Sequence, residues 1–383
     1  MEKVDGRFQR VQLLAITNPG IESILNKELR TLGLKTTRTI PGGVEITGKM
    51  DALMRANLHS RTANRVVVRA AEFHASTFHE LERRAKKVEW ARFVSRGSAV
   101  RFRVTCRKSR LYHSDAVAER FENVLVSSLN ATVADRDQDE DNDGDAQLFI
   151  VRIADDICTV SADSSGELLH RRGYRQAIAK APLRESLAAA MLIGSEWDMT
   201  SPLVDPMCGS GTIAIEAAMM ARNIAPGAAR TFAFEKWPDH DDSALTQLRN
   251  EARESEKTGI APSIIASDRD AGAALAARSN AERAGVLNDI EIEQRSLSAA
   301  EFPETPGWIV SNPPYGLRIG ESAPLRNLYS TLGKILKTRA QGYLVALLSA
   351  DRKLESQLGI ELHEKFRTTN GGIPVRLVTG RHE

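Results

Sequence analysis

The chain has 383 residues, 42% of them hydrophobic, and a formal net charge of only +2, which allows two or three domains with real cores and argues against a polybasic tail protein. It has no run of 18 or more apolar residues, and its start, MEKVDGRFQR, is charged with no apolar stretch behind it; secretion and membrane spanning are therefore not expected, and a cytoplasmic location is. Cys106, Cys158 and Cys208 are odd in number and lack metal-like spacing, against both a disulfide framework and a zinc site.

In chain order, VQLLAIT predicts a strand and NPG a turn. IESILNKELRTLG predicts an amphipathic helix with Ile21, Leu25, Leu29 and Leu32 on one face and Gly33 as its C-terminal cap. KTTRTIPGGVEITG reads as a hairpin and MDALMRANLHS as a second helix, so residues 1–58 make a small α+β unit. A second α+β unit is expected over 59–164. NRVVVRAAEF and AVRFRVTCR are strands, each followed by a helix (STFHELERRAKKV, and SDAVAERFENVLVSSLN with Ser114 as N-cap). LFIVRIADD and ICTVSAD close that unit as two strands across an Asp-Asp turn. Within it, Asp139, Asp141, Asp143 and Gly144 fit the opening of a calcium-binding loop. The place of that loop's final bidentate glutamate is taken by Ile150 and a strand follows, so DRDQDEDNDGDAQ reads as an acidic surface loop and no metal is expected.

A basic linker, 165–182, leads into a region of different character. From 183 to 383, apolar strands (PLVDP, SIIASD, IEIEQ, WIVSN, GYLVALLS, PVRLVTG) alternate with helices, apart from a long polar connection ahead of SIIASD. That alternation predicts an α/β fold with a doubly wound, mainly parallel Rossmann-like sheet.

Charge is unevenly spread. Residues 61–110 hold 14 Lys and Arg against 4 Glu. A solvated helix face is the ordinary reading of such a run, but Arg101 and Arg103 alternate along a strand, so a surface for phosphates fits it equally well. Arg107 and Lys108 extend that surface, and Arg171, Arg172, Arg175 and Lys180 of the linker add a smaller cluster.

The strand PLVDP empties into DPMCGSGTIA, where Gly209 and Gly211 allow a sharp turn into a helix and close approach of a ligand to the backbone. The string also satisfies the dinucleotide pattern. That pattern wants an acid about twenty positions further on, whereas here the next strand end supplies Asp268 much later. Asp205, just ahead of the loop, would repel a pyrophosphate and suits a ligand carrying an ammonium group, which favours S-adenosylmethionine over a nicotinamide dinucleotide. Asp268 is then placed to grip a ribose diol.

The strand WIVSN ends in Asn312, Pro313, Pro314 and Tyr315. The exocyclic amine of a nucleobase is a poor nucleophile because its lone pair is delocalised into the ring. The Asn312 side-chain oxygen and the Pro313 carbonyl, held rigid by consecutive prolines, can accept hydrogen bonds from both N–H groups and aim the lone pair at a methyl sulfonium. Tyr315 offers a flat face for an extruded base.

DPMCGSGT followed by NPPYG resembles the class I methyltransferases that modify planar amines. Residues 59–164, LLHRRGYR, APLRESLAAAML and GGIPVRLVTG resemble bacterial THUMP-domain RNA guanine-N2 methyltransferases, most of all the 23S rRNA type; ITNPGIESILNKELRTLG is similar to that family's small ferredoxin-like domain. The resemblance implies an RNA substrate and, for the second unit, a THUMP RNA-binding domain. It also implies cofactor roles for Asp205, Pro206, Cys208, Gly209, Ser210, Gly211, Thr212 and Asp268. Where the family has an acid near the cofactor adenine, this sequence has Ser296, whose hydroxyl can still bond the adenine amine.

The Asn-Pro-Pro-Tyr signature also fits tRNA guanine-N2, DNA adenine-N6 and protein glutamine methylation. The DNA and protein readings leave the long α+β region and its basic segment without a purpose. A non-catalytic RNA-binding protein is the remaining alternative, opposed by the intact Asn312, Tyr315, Gly209 and Gly211. The placement of motifs and charge further predicts separable halves, with 181–383 folding alone and binding cofactor.

Overall fold

The computed structural model describes residues 10–135, 145–175, 183–260, 262–315 and 322–382. β1 (Val11–Ile16) alternates buried and more exposed residues, as a strand with one covered face must. It lies antiparallel between β3 (Gly43–Gly48) and β4 (Arg65–His74), with β2 (Thr36–Ile40) completing the hairpin. α1 (Glu22–Thr31) buries Leu25 and Leu29, and α2 (Met50–His59) buries Leu53 and Met54. α3 (Phe78–Ala85) is capped by the Thr77 hydroxyl, which accepts from the Glu80 amide at 3.3 Å. α4 (Ser114–Leu129) departs from expectation: Ser114 is its first helical residue, and the preceding His113 makes no side-chain cap.

β5 (Ala99–Arg107), β6 (Thr132–Val133), β7 (Gln147–Ala154) and β8 (Ile157–Asp163) do not form a sheet of their own. One edge of β4 pairs with β1 and the other with β8, so a single eight-stranded sheet runs β2-β3-β1-β4-β8-β7-β5-β6 across the boundary expected at residue 58. The Asp-Asp turn is present, with φ of +51° at Asp155 and +61° at Asp156, the doubly left-handed form that matches strand twist in a two-residue hairpin. The acidic loop around Asp139 to Gly144 lies outside the described residues.

The second sheet has seven strands in the order β11-β10-β9-β12-β13-β15-β14. β9 (Leu203–Asp205), β10 (Ile264–Asp268), β11 (Glu291–Gln294), β12 (Trp308–Ser311) and β13 (Leu344–Ser349) are parallel, while β15 (Ile373–Arg381) and β14 (His363–Asn370) run antiparallel. Successive residues feed opposite cores. Leu203 and Val310 pack with α5 (Glu185–Gly194), α6 (Thr212–Ala221) and α8 (Ala271–Arg283); Val204 and Ile309 pack with α9 (Ser322–Thr338). Both faces are covered, which is why these strands read as continuous apolar runs.

The polar connection ahead of β10 is more structured than expected: it contains α7 (Asp242–Glu254), and its first part returns to the N-terminal sheet. Phe232, Phe234, Trp237 and Leu245 join the core of that sheet. Trp237 lies edge-on to Phe93 at 5.0 Å and donates to Gln147 Oε1 at 2.7 Å. Arg172 completes the lock, donating from Nη2 to the Arg61 carbonyl at 2.5 Å with its Nε 3.5 Å from Glu216 of α6, both side chains buried. The two halves thus share a core, against the expectation that 181–383 is self-sufficient.

A fragment of 183–383 strips Phe232, Phe234 and Trp237 of their cover and Glu216 of Arg172. It should bind a hydrophobic dye and lack a cooperative thermal transition, whereas the whole chain should melt sharply. A soluble fragment with a sharp transition of its own would show the shared core to be dispensable.

Candidate active site

β9, β10 and β12 are neighbours that end at one edge of the parallel sheet. In doubly wound sheets the carboxyl edge is where ligands bind, at the point where the strand order reverses. β9, flanked by β10 on one side and β12 on the other, is that point.

The loop leaving β9 is held by its neighbours' backbone and side chains. The Cys208 amide donates to the Ser267 carbonyl at 2.9 Å, and the Gly209 amide to Asp268 Oδ2 at 2.9 Å. The Asn280 amide of α8 donates to the Ser210 carbonyl at 3.0 Å. Gly209 and Gly211 take φ of +53° and +81°. A Cβ on Gly211 would lie 2.9 Å from that of Ala277, so this glycine lets α6 close on α8, whereas a Cβ on Gly209 would meet nothing within 4 Å. That open side is room for a ligand. Thr212 starts α6, and its hydroxyl accepts from Arg175 Nη2 at 2.6 Å. Pro206, Cys208 and Ser210 are buried. Burial, reinforced by the charges of Asp205 and Asp268, pushes the Cys208 thiol far up, so it is protonated and inert.

Asp205 is fully buried. It accepts from the Ser311 hydroxyl at 2.6 Å and the Met207 amide at 3.3 Å. Burial pushes its pKa up to about 7, with those two hydrogen bonds opposing the shift and the charge of Asp268 adding to it. A buried acid of this kind gains from a cation. Asp268 also accepts from the Asp270 amide at 3.0 Å, and Asp270 in turn caps α8 through the Ala273 amide. Ser296 is exposed beyond the tip of β11, next to Arg295, whose amide donates to the Asp268 carbonyl at 2.8 Å.

Beyond β12, Asn312 is half-buried, Pro313 buried and Pro314 exposed. The Tyr315 hydroxyl donates to Asn312 Oδ1, and the Asn370 amide donates to the Tyr315 oxygen at 3.4 Å. Burial pushes the Tyr315 phenol up to about 12, so it stays protonated.

Three expected RNA contacts are corrected. Arg101 is buried near the Arg65–Asp163 ion pair. Arg172 is buried against Glu216. Arg175 is bound to the Leu183 carbonyl, Thr212 and Glu185. All three guanidiniums are withdrawn from solvent, and those of Arg172 and Arg175 are bonded within the fold. Arg107 and Lys108 are exposed, and Arg103 and Arg171 partly so; Lys180 lies outside the described residues. Sequence reasoning missed Ser311, Asn280 and Asn370. A serine closing an otherwise apolar strand was a signal for the first, and an asparagine before Gly371-Gly372 for the last; Asn280 gave none. No group of His, Cys, Asp and Glu among the described residues could hold a metal.

A glycine loop after the central strand, an acid at the tip of one neighbour and Asn-Pro-Pro-Tyr at the tip of the other define an S-adenosylmethionine-dependent methyltransferase. The donor set fits that ligand, with a buried acid for its ammonium group, an open glycine and a second acid for its ribose. The chain belongs to the RMKL-like methyltransferase family: residues 172–379 match that methyltransferase domain and residues 12–67 the RlmL ferredoxin-like domain. A relative from Synechocystis is 33% identical over 360 residues, 94% of each chain. The ribosomal RNA large subunit methyltransferase K/L of Syntrophotalea carbinolica is 34% identical over 379 residues, 96% of this chain but 53% of that protein. This chain therefore spans about half the length of its K/L relatives. The crystal structure of SMU.472 complexed with SAH superposes with a TM-score of 0.86 at 30% identity, covering 98% of this chain and 99% of that one.

The raised pKa of Asp205 has a sign. Between its ordinary 3.8 and about 7 the folded chain holds a proton that the unfolded chain has lost, so rising pH costs stability across that window. Asp205→Asn removes that cost while keeping an acceptor for Ser311. Urea midpoints should therefore show the variant gaining on the wild type as pH rises through the window, then levelling off above it. Parallel curves would show an ordinary carboxyl.

Proposed function

We propose that the chain methylates the exocyclic N2 amine of a guanine in RNA, with 23S ribosomal RNA favoured over tRNA and the cytoplasm as its place of work. In this reading residues 1–58 are the ferredoxin-like domain, 59–164 a THUMP RNA-binding domain, 165–182 a linker and 183–383 the methyltransferase domain. The observation that carries it is the 2.6 Å bond from Ser311 to Asp205, which joins the glycine-loop strand to the strand bearing Asn312. The K/L relatives support ribosomal RNA, and the exposed Arg107 and Lys108 supply phosphate contacts.

S-adenosylmethionine, when bound, supplies an electrophilic methyl on a sulfonium. Asp205 would answer its ammonium, Gly209 to Thr212 would line its approach, Asp268 would receive its ribose hydroxyls and Ser296 its adenine amine. An extruded guanine stacks on Tyr315. Asn312 Oδ1 and the Pro313 carbonyl accept the two N2 hydrogens, turning the lone pair toward the methyl. With the cofactor bound, transfer would join the amine nitrogen to the methyl carbon and leave the carbon–sulfur electron pair on sulfur as a thioether, making the nitrogen cationic and acidic. That nitrogen would then release a proton to water, so no strong base is required.

Tritiated methyl transfer should proceed to total RNA and not to DNA or protein, with N2-methylguanosine as the labelled nucleoside. Asn312→Ala should lower turnover by about 10²–10³, as for other preorganised polar groups, and leave cofactor affinity nearly intact. Turnover within about threefold of wild type would reduce Asn-Pro-Pro-Tyr to a turn, and label in DNA or protein would replace the substrate.

A further inference from the structure

Asn370 closes β14 and pairs with Ile373 across Gly371 and Gly372, whose φ values of +56° and +81° make a tight two-residue hairpin. Alternation along β14 turns Phe366, Thr368 and Asn370 inward, and Asn370 is only 9% exposed. A buried carboxamide needs partners. Among the described residues its side-chain amide finds the oxygen of Tyr315, 55 residues earlier, which itself donates to Asn312 Oδ1.

The direction of this chain matters. A phenol has a single proton. With Asn370 Nδ2 donating to its oxygen, that proton is left for Asn312. Because the Asn312 carboxamide is planar, fixing its oxygen also fixes its amino group. The oxygen keeps a second lone pair, available to an incoming amine. The same contact anchors the Tyr315 ring at its hydroxyl edge.

We propose that Asn370 is a positioning residue for methyl transfer: through the Tyr315 hydroxyl it holds the Asn312 carboxamide with its oxygen toward the reacting amine. This rests on the function proposed above for Asn312 and Tyr315 and adds a residue from the far hairpin. Asn370 need not touch substrate or cofactor. Its effect belongs in turnover, because misorienting an acceptor costs most where the hydrogen bonds tighten, in the transition state.

The test compares Asn370→Ala and Asn370→Asp, each alone and with Tyr315→Phe, in the full chain, using whichever RNA, DNA or protein substrate the wild type methylates. Asn370→Ala removes the donor and should lower kcat about tenfold, the size of a typical neutral hydrogen bond at the upper end, with KM for substrate and Kd for S-adenosylmethionine within about twofold. Asn370→Asp is nearly isosteric but accepts where Asn370 donates, drawing the phenol proton away from Asn312, and should lower kcat further than alanine. With the Tyr315 hydroxyl removed there is no proton to direct, so both substitutions should add nothing to the loss from Tyr315→Phe alone. Additive losses in the Tyr315→Phe background, or Asn370→Asp turning over as fast as wild type, would overturn the proposal. Thermal melts of all five variants accompany the assay: a loss of kcat that tracked melting temperature and not the presence of the Tyr315 hydroxyl would assign Asn370 a merely structural role. Failure to label RNA would refute the substrate reading and leave this cycle interpretable on the substrate that is labelled.

Discussion

A buried hydrogen bond of 2.6 Å between Ser311 and Asp205 organises the catalytic half of the molecule. A buried carboxyl at the end of the central strand gains when something donates to it. Ser311 does so from the adjacent strand, and the Met207 amide does so from the start of the glycine loop. The geometry of the loop and of Asn-Pro-Pro-Tyr is thereby referred to a single pair of atoms. Asp268 plays the corresponding part on the other flank, taking the Gly209 amide and so holding the loop from β10. Two acids on two strand tips hold one loop between them, and both retain a reason to welcome positive charge or hydroxyls.

The same economy governs the junction of the halves. Arg172, Arg61, Arg175 and Arg230 are committed inside the molecule, donating to the Arg61 carbonyl, the Ile224 carbonyl, the Thr212 hydroxyl and the Leu168 carbonyl respectively. Burying so many guanidiniums is tolerable only because each has acceptors waiting. One result is that Arg175, in the linker, reaches the first residue of the glycine-loop helix. The N-terminal half is thus physically continuous with the cofactor cradle. The surface left for polyanion contact is smaller than the count of basic residues suggests, since Arg101 and Arg172 are spent inside.

Much of the fold was legible because parallel strands covered on both faces must be apolar along their length, and β9, β10, β12 and β13 are apolar up to the polar residues that close them. β14 was not, because it is the outer edge of its sheet: Phe366 is its one large inward apolar side chain among charged and polar neighbours. α7 hid in a polar stretch because only one narrow stripe, Leu245 and Ala252, is buried. The merging of the two N-terminal units into one sheet depends on which edge of β4 meets β8, a non-local pairing that no local pattern encodes. In the site, Asp205, Gly209, Gly211, Asp268 and Asn312 were marked by their positions at strand ends. The arginines were misjudged for a physical reason: charge in a sequence reads as surface, and only distant partners such as Glu216 and the Leu183 carbonyl reveal that it is buried.

The claim that the cofactor loop and the amine-binding motif operate as one unit through Asp205 and Ser311 is tested most directly with Ser311→Ala. Ser311 is fully buried and its hydroxyl is committed to Asp205. Losing a hydrogen bond to a charged group costs ~1.5–3 kcal/mol. The account therefore predicts that calorimetry finds S-adenosylmethionine binding about tenfold or more weaker and that kcat at saturating cofactor falls as well. Weaker cofactor binding with an unchanged kcat would mean that the two motifs are merely neighbours.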